Sequence, residues 1–126
     1  LYGFMQNGKH PWYSDQKQTT IWNFAKPKRN ANHPTSKPLD LLGYPIGNST
    51  QENAIVIDTF GGSGSTLMAC EQMNRTCCTM ELDEKYASVI LRRYVDDTGD
   101  ADGVYVICDG KKVPYTALVK DVEPAS

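Results

Sequence analysis

The stretch Ala54-Ile55-Val56-Ile57-Asp58-Thr59-Phe60-Gly61-Gly62-Ser63-Gly64-Ser65-Thr66 constrains the fold of this chain more than any other. A short β-branched run ends in an acid, passes through three glycines in four positions and opens into Leu67-Met68-Ala69-Cys70-Glu71-Gln72-Met73. The pattern predicts a strand, a tight glycine turn and a helix start. In a βαβ unit such a junction lies at the carboxyl end of a parallel strand, where α/β folds bind nucleotide-like ligands. Glycines there let backbone amides approach a ligand, and the free N–H groups of the helix start favour a negative group. About twenty residues on, Thr76-Cys77-Cys78-Thr79-Met80-Glu81 reads as a second strand ending in an acid, placed to accept hydrogen bonds from ribose hydroxyls. The expected ligand is a nucleoside with a small charged appendage. The competing reading is a tight strand–helix turn that binds nothing.

What the junction lacks narrows the ligand. A P-loop carries a lysine followed by Ser or Thr after its last glycine, whereas Ser65-Thr66 follows Gly64 here with no lysine. A dinucleotide fingerprint carries a further glycine three residues after its second, and in the register Gly62-x-Gly64-x-x that place holds Leu67. A ligand with a ribose and no phosphate suits what remains, and S-adenosylmethionine is the common one.

A second motif lies upstream, at His33-Pro34-Thr35-Ser36-Lys37-Pro38-Leu39-Asp40-Leu41-Leu42. Thr35 or Ser36 can cap a helix whose early turn holds Pro38, with Leu39, Leu42 and Ile46 on one side. The order His-Pro-Thr-x-Lys-Pro, then Asp-x-Phe-x-Gly-x-Gly, then a strand ending in Glu resembles the amino-group DNA methyltransferases. These transfer methyl from S-adenosylmethionine to adenine N6 or cytosine N4. The chain is similar to their β arrangement, in which the catalytic and target-recognition parts precede this half. The resemblance covers roughly residues 1–99. One departure is Thr59, where the family usually carries Pro.

The resemblance implies roles residue by residue. Asp58 and the loop Gly61, Gly62, Ser63, Gly64 and Thr66 would hold the methionine part of the cofactor, with Phe60 near the reacting end. Glu81 would take the ribose hydroxyls and Leu82 would lie against the adenine. Thr35, Ser36 and Lys37 would face the methionine carboxylate, where a helix start and an ammonium both favour an anion. For Lys37 the plain alternative is a solvated lysine, and for Leu82 ordinary core packing.

The same family grips its target with a tetrapeptide containing Pro-Pro, because the amino nitrogen of a stacked base is out of reach until the base is flipped out. The prolines here stand at 11, 27, 34, 38, 45, 114 and 124, so no Pro-Pro occurs. The chain opens at Leu1 without a methionine. We therefore expect the cofactor-binding part of such an enzyme, inactive by itself, whose partner is a separate N-terminal catalytic half. A complete enzyme of this type needs a longer sheet and about twice this length or more. At 126 residues the chain suits one modest domain, or part of one.

Charge is divided along the chain. Residues 1–43 hold six Lys/Arg against two acids, and residues 44–126 hold seven against thirteen, which together give the net −2. The basic part also carries Tyr2, Phe4, Trp12, Tyr13, Trp22 and Phe24, and cations among aromatics suit phosphate contact and base stacking. Within it Lys26, Lys28 and Arg29, in a proline-interrupted linker, are candidates for contact with double-stranded DNA, or else a plain solvated loop. Thr19 to Phe24 alternates like a strand, with Trp22 read as core. No apolar run reaches the length of a membrane span and no signal segment is evident, so a cytoplasmic protein of bacterial or phage type is expected. The four cysteines, Cys70, Cys77, Cys78 and Cys108, show no Cys-x-x-Cys spacing, and with only two histidines no metal site is expected. They read as reduced thiols.

Downstream, Leu82 to Tyr94 reads as a helix capped by Asp83, with Tyr86, Val89, Ile90 and Tyr94 as its apolar face and Arg92-Arg93 at its end. Asp96 to Gly103 reads as an acidic linker, and Asp109-Gly110 as the turn of a β-hairpin. The fold class is α/β: a partial Rossmann-like methyltransferase fold of parallel strands and helices plus a C-terminal β-hairpin. Its parts are a DNA-facing segment over 1–32, a cofactor-binding subdomain over 33–99, and an acidic linker with the hairpin over 100–126. The uncovered surface of such a part predicts self-association. Adenine N6 is favoured over cytosine N4 as target. The rival readings are a methyltransferase acting on RNA, protein or a small molecule, and a non-catalytic nucleotide-binding module.

Overall fold

The β-branched run up to Asp58 has no helical period, and the glycines that follow end it. In the computed structural model, which describes residues 3, 5–9, 11–24 and 39–120, it forms β1 (Ile55–Asp58). Helix α1 (Leu39–Ser49) precedes it; α2 (Ser65–Gln72), β2 (Thr76–Thr79) and α3 (Glu84–Thr98) follow. β1 and β2 pair in parallel, Ile55 opposite Thr76 through Asp58 opposite Thr79, with α2 as the crossover. The helix, strand, glycine turn, helix, strand, helix order read from the sequence is the order observed.

One face of this two-stranded sheet is covered. Val56 and Cys77 point toward a small core of Ile46, Ala69 and Cys70, with Leu42 and Met73 against it. Gly43 and Gly47 let α1 lie close, since a Cβ on either would stand 3.2 or 3.3 Å from the Met73 side chain. Arg75 closes the corner: Nη2 donates to Thr50 O at 3.0 Å and Nη1 to Met73 O, so one cation serves the carbonyl ends of α1 and α2. The opposite face is open. Ile55 is 67% exposed and Ile57 72%, whereas parallel sheets are ordinarily covered on both faces.

The N-terminal segment differs from expectation. Residues 19–24 form no strand, because no neighbouring strand pairs with them among the described residues. Local bonds hold them instead, with Trp22 Nε1 donating to Thr19 O and Thr19 Oγ1 to Ile21 O. Trp22 is not core: it is 42% exposed and meets the Tyr44 ring edge-on at 4.9 Å. The segment is pinned to α1 by buried Asn48, which exchanges two amide hydrogen bonds with Gln18 and accepts from Tyr13 N.

Helix α3 begins as expected, with Asp83 accepting from Lys85 N, but runs on to Thr98. Asp96 and Asp97, read as linker, are helical; Asp97 lies 3.7 Å from Arg93 one turn back, and Gly99, at φ 74°, provides the left-handed cap. The buried face is Ile90 and Arg93, while Tyr86 is exposed. Beyond it β3 (Tyr105–Cys108) and β4 (Lys111–Pro114) pair antiparallel across Asp109-Gly110, both at positive φ as a two-residue hairpin turn demands. Helix α4 (Tyr115–Lys120), not foreseen, leaves β4 directly. Among the described residues no helix is long and apolar enough to cross a membrane, and all four cysteines are free.

Candidate functional site

The glycine turn sits where β1 delivers it, at the carboxyl end of the sheet. Asp58 starts it by accepting from Phe60 N at 3.0 Å through Oδ1, an Asx turn that swings the chain out of the strand. Gly61 N then donates to Met80 O, and Gly64 N returns to Gly61 O at 2.8 Å. Gly62 and Gly64 take φ of 53° and 76°, the left-handed region where a side chain is strained. Gly61 is glycine for a different reason: a Cβ there would meet Thr79 Oγ1 at 2.6 Å and Ile90 at 3.0 Å.

Three side chains brace the turn from outside it. Glu81 Oε2 accepts from Gly62 N at 2.7 Å, and Oε1 from Asp83 N at 3.0 Å. The amides of Asp83 and then Gly62 hold the Glu81 carboxyl below its usual range. Ile90 packs under Gly61 and Gly64. Buried Arg93 donates through Nη1 to Ser63 O at 2.9 Å and to Ser65 Oγ at 3.1 Å.

Over the turn opens a cavity of about 320 Å³ lined by Leu42, Asp58, Phe60, Gly61, Gly62, Ser63, Ser65, Thr66 and Tyr86. Six residues singled out from the sequence therefore share one site: Asp58, Phe60, Gly61, Gly62, Ser63 and Thr66. Gly64 lies buried beneath it, and Glu81 reaches it through the Gly62 amide. Leu82 is 99% exposed and Phe60 88%, so neither is a core residue. Thr35, Ser36, Lys37, Lys26, Lys28 and Arg29 lie outside the described residues.

The amides of residues 60, 61, 62 and 64 are all taken by protein acceptors, those of Phe60 and Gly64 within the turn and those of Gly61 and Gly62 by Met80 and Glu81. The first N–H groups of α2, on Ser65, Thr66 and Leu67, have no acceptor among the described residues, as helix starts leave them. Together with the Ser63 amide, which also has no acceptor among the described residues, they are backbone donors left for a negative ligand group. The Thr79 hydroxyl, buried under Gly61, also lacks a partner among the described residues. Sequence reasoning missed Arg93, Tyr86 and Leu42 here. Arg93 follows Ile90 by three residues on one helical face, a spacing that places it beside the loop once Ile90 is known to pack there.

The thiols complete the electrostatics beneath the site. Burial pushes Cys77 up to about 12, helped by neighbouring Cys70 and Asp58, and burial also raises Cys70. Neither is a nucleophile near neutral pH.

Comparison with known proteins agrees with this geometry. A family model described as DNA methylase, of the N6/N4 type, matches residues 5–92. The chain is 34% identical over 88 residues to the type II methyltransferase M2.MboI of Moraxella bovis, covering 67% of this chain and 32% of that protein. It thus spans about a third of that relative's length. Among solved structures it is similar to the M1.HpyAVI–SAM complex (TM-score 0.55, 26% identity, 70% of this chain and 45% of that one). The cytosine-N4-specific PvuII DNA methyltransferase is similar over 60% of this chain and 31% of its own, with TM-score 0.52 and 25% identity. The partial Rossmann-like unit is accordingly a methyltransferase fold, and with the family model covering most of its length the chain belongs to the N6/N4 DNA methylase family.

Proposed function

We propose that this chain is the cofactor-binding portion of a DNA amino-methyltransferase, acting on adenine N6 in preference to cytosine N4, with S-adenosylmethionine as methyl donor. The observation that carries the reading is the cavity over the glycine turn, which faces a helix start with three unclaimed N–H groups. Its volume lies in the range of small-molecule sites, and a Cβ at Gly62 would meet only Phe60 O, at 3.9 Å, so the loop leaves room there for a ligand. A related solved structure is described as a complex with SAM.

On this reading the α2 start and Lys37 attract the amino-acid carboxylate, and Asp58 its ammonium. Glu81 has one carboxylate oxygen on Gly62 and one on Asp83, and each retains lone pairs for ribose hydroxyls. Leu82 and Phe60, both exposed, supply apolar contact to the adenine and the reacting end. Held by these residues, S-adenosylmethionine would supply the sulfonium methyl for transfer to the amino nitrogen, and the protein would contribute alignment and electrostatic support. With no Pro-Pro in the sequence, the grip on the target base comes from another part of the enzyme. Lys26, Lys28 and Arg29 contact the DNA backbone in that assembly.

Calorimetry of the 126-residue chain with S-adenosylhomocysteine and, separately, NAD tests the reading. Binding of the first, abolished by Gly62→Val, supports it. Binding of NAD alone, or equal affinity in wild type and variant, overturns it.

A further inference from the structure

Arg93 is placed where stability alone would not put it. Its guanidinium is buried and stands against the first residue of α2, where the helix dipole is positive and a cation is unfavourable. Burying a charge carries a desolvation cost as well. The counter-charge, Asp97, is 3.7 Å from Nε and half exposed, a weak compensation. What Arg93 does achieve is local. Nη1 holds Ser63 O and Ser65 Oγ together, and Ser65 Oγ lies 3.2 Å from Ser63 Oγ. The peptide between Ser63 and Gly64 is thereby fastened at both ends, its carbonyl to Arg93 and its N–H to Gly61 O. That peptide lies between the two left-handed glycines, Gly62 and Gly64, directly before the start of α2.

We propose that Arg93 is a positioning residue of the cofactor site: it fastens the Ser63–Gly64 peptide so that the first N–H groups of α2 face the cavity, and its charge adds to the attraction for an anionic ligand group. This rests on the reading of the cavity as the S-adenosylmethionine site. The unfavourable field that Arg93 and the helix start share in the free protein is relieved when a carboxylate arrives. The role belongs to Arg93 and not to the adjacent Arg92, which is exposed.

The test compares Arg93→Met, Arg93→Lys, Ser65→Ala and the control Arg92→Met. S-adenosylhomocysteine affinity is read by calorimetry, and amide hydrogen exchange is read at Gly64, whose N–H is bonded to Gly61 O. Arg93→Met is expected to weaken binding roughly tenfold or more and to speed exchange at that amide, with circular dichroism unchanged. Arg93→Lys, which retains one donor and the charge, recovers part of the affinity, and Ser65→Ala loses less than Arg93→Met. Arg92→Met changes neither readout. If Arg93→Met does not fold, Arg93→Lys and Ser65→Ala carry the comparison. Wild-type affinity together with wild-type exchange in the folded Arg93 variants overturns the proposal. Should the wild type bind no S-adenosylhomocysteine, the reading of the cavity fails, while exchange at the Gly64 amide still decides whether Arg93 orders the turn.

Discussion

Gly61 and Gly62 stand side by side and are glycine for separable reasons. A Cβ on Gly61 would meet Thr79 Oγ1 at 2.6 Å, so Gly61→Ala forces Thr79 and Ile90 apart. It is expected to lower stability by about 1–3 kcal/mol in urea unfolding. A Cβ on Gly62 meets only Phe60 O, at 3.9 Å, but sits at φ 53°, so Gly62→Val strains the backbone by about 1–3 kcal/mol and projects into the cavity. The second variant should lose ligand binding; the first should lose mainly stability. Glu81 adds a pH dependence with a definite sign. Its carboxyl is held below the usual range by the Asp83 and Gly62 amides, so the folded state prefers it ionised. Its contribution is present above the ordinary glutamate range and is lost as pH falls through the lowered native value. Exchange protection of the Gly62 amide should decline over that acidic window, and in Glu81→Gln it should be independent of pH there.

At the scale of elements, α2 is the part least tolerant of change, since Met68, Ala69 and Cys70 are all buried. Met68→Ala should cost about 2–5 kcal/mol, measured by denaturant unfolding. Strand β2 offers a sharper test of its two faces. Cys77 points into the core and is pushed up to about 12, whereas Cys78, the next residue, lies on the open face. Iodoacetamide near pH 8 should label Cys78 and Cys108 quickly and reach Cys70 and Cys77 only on unfolding. Labelling of Cys77 ahead of Cys78 would reverse the assigned faces of the sheet.

For the whole molecule, the open face with Ile55 and Ile57 is the dominant feature. An unpaired parallel edge beside exposed apolar side chains promotes association. Light scattering over a dilution series should show a dimer or larger species, reduced by Ile57→Lys. On the proposed reading the natural cover is the catalytic half of the enzyme, so adding that half as a separate chain should protect Cys78 from alkylation. Tritiated-methyl transfer to mixed-sequence duplex DNA should be at background for residues 1–126 alone and rise on mixing. Turnover by residues 1–126 alone, above a Gly62→Val control, would refute the assignment of catalysis to another part of the enzyme.

Local chemistry was legible in the sequence. The strand–glycine–helix junction, the Asp83 cap and the Asp109-Gly110 turn were read correctly because backbone preferences and neighbours two to four residues away decide them. Asp58, Phe60, Gly61, Gly62, Ser63 and Thr66, which line the cavity, were grouped from the sequence by the family resemblance of this junction. The extent of α3 was not legible, since its acidic end reads as linker until Asp97 meets Arg93 and Gly99 caps it. Nor was the place of Trp22, whose alternating pattern becomes a strand only if a neighbour pairs with it. That Met80 and Glu81 take the Gly61 and Gly62 amides, and that Arg93 crosses from another helix to hold Ser63, were decided by tertiary structure alone. Those contacts join residues 19 to 30 positions apart, and no local preference along the chain encodes them.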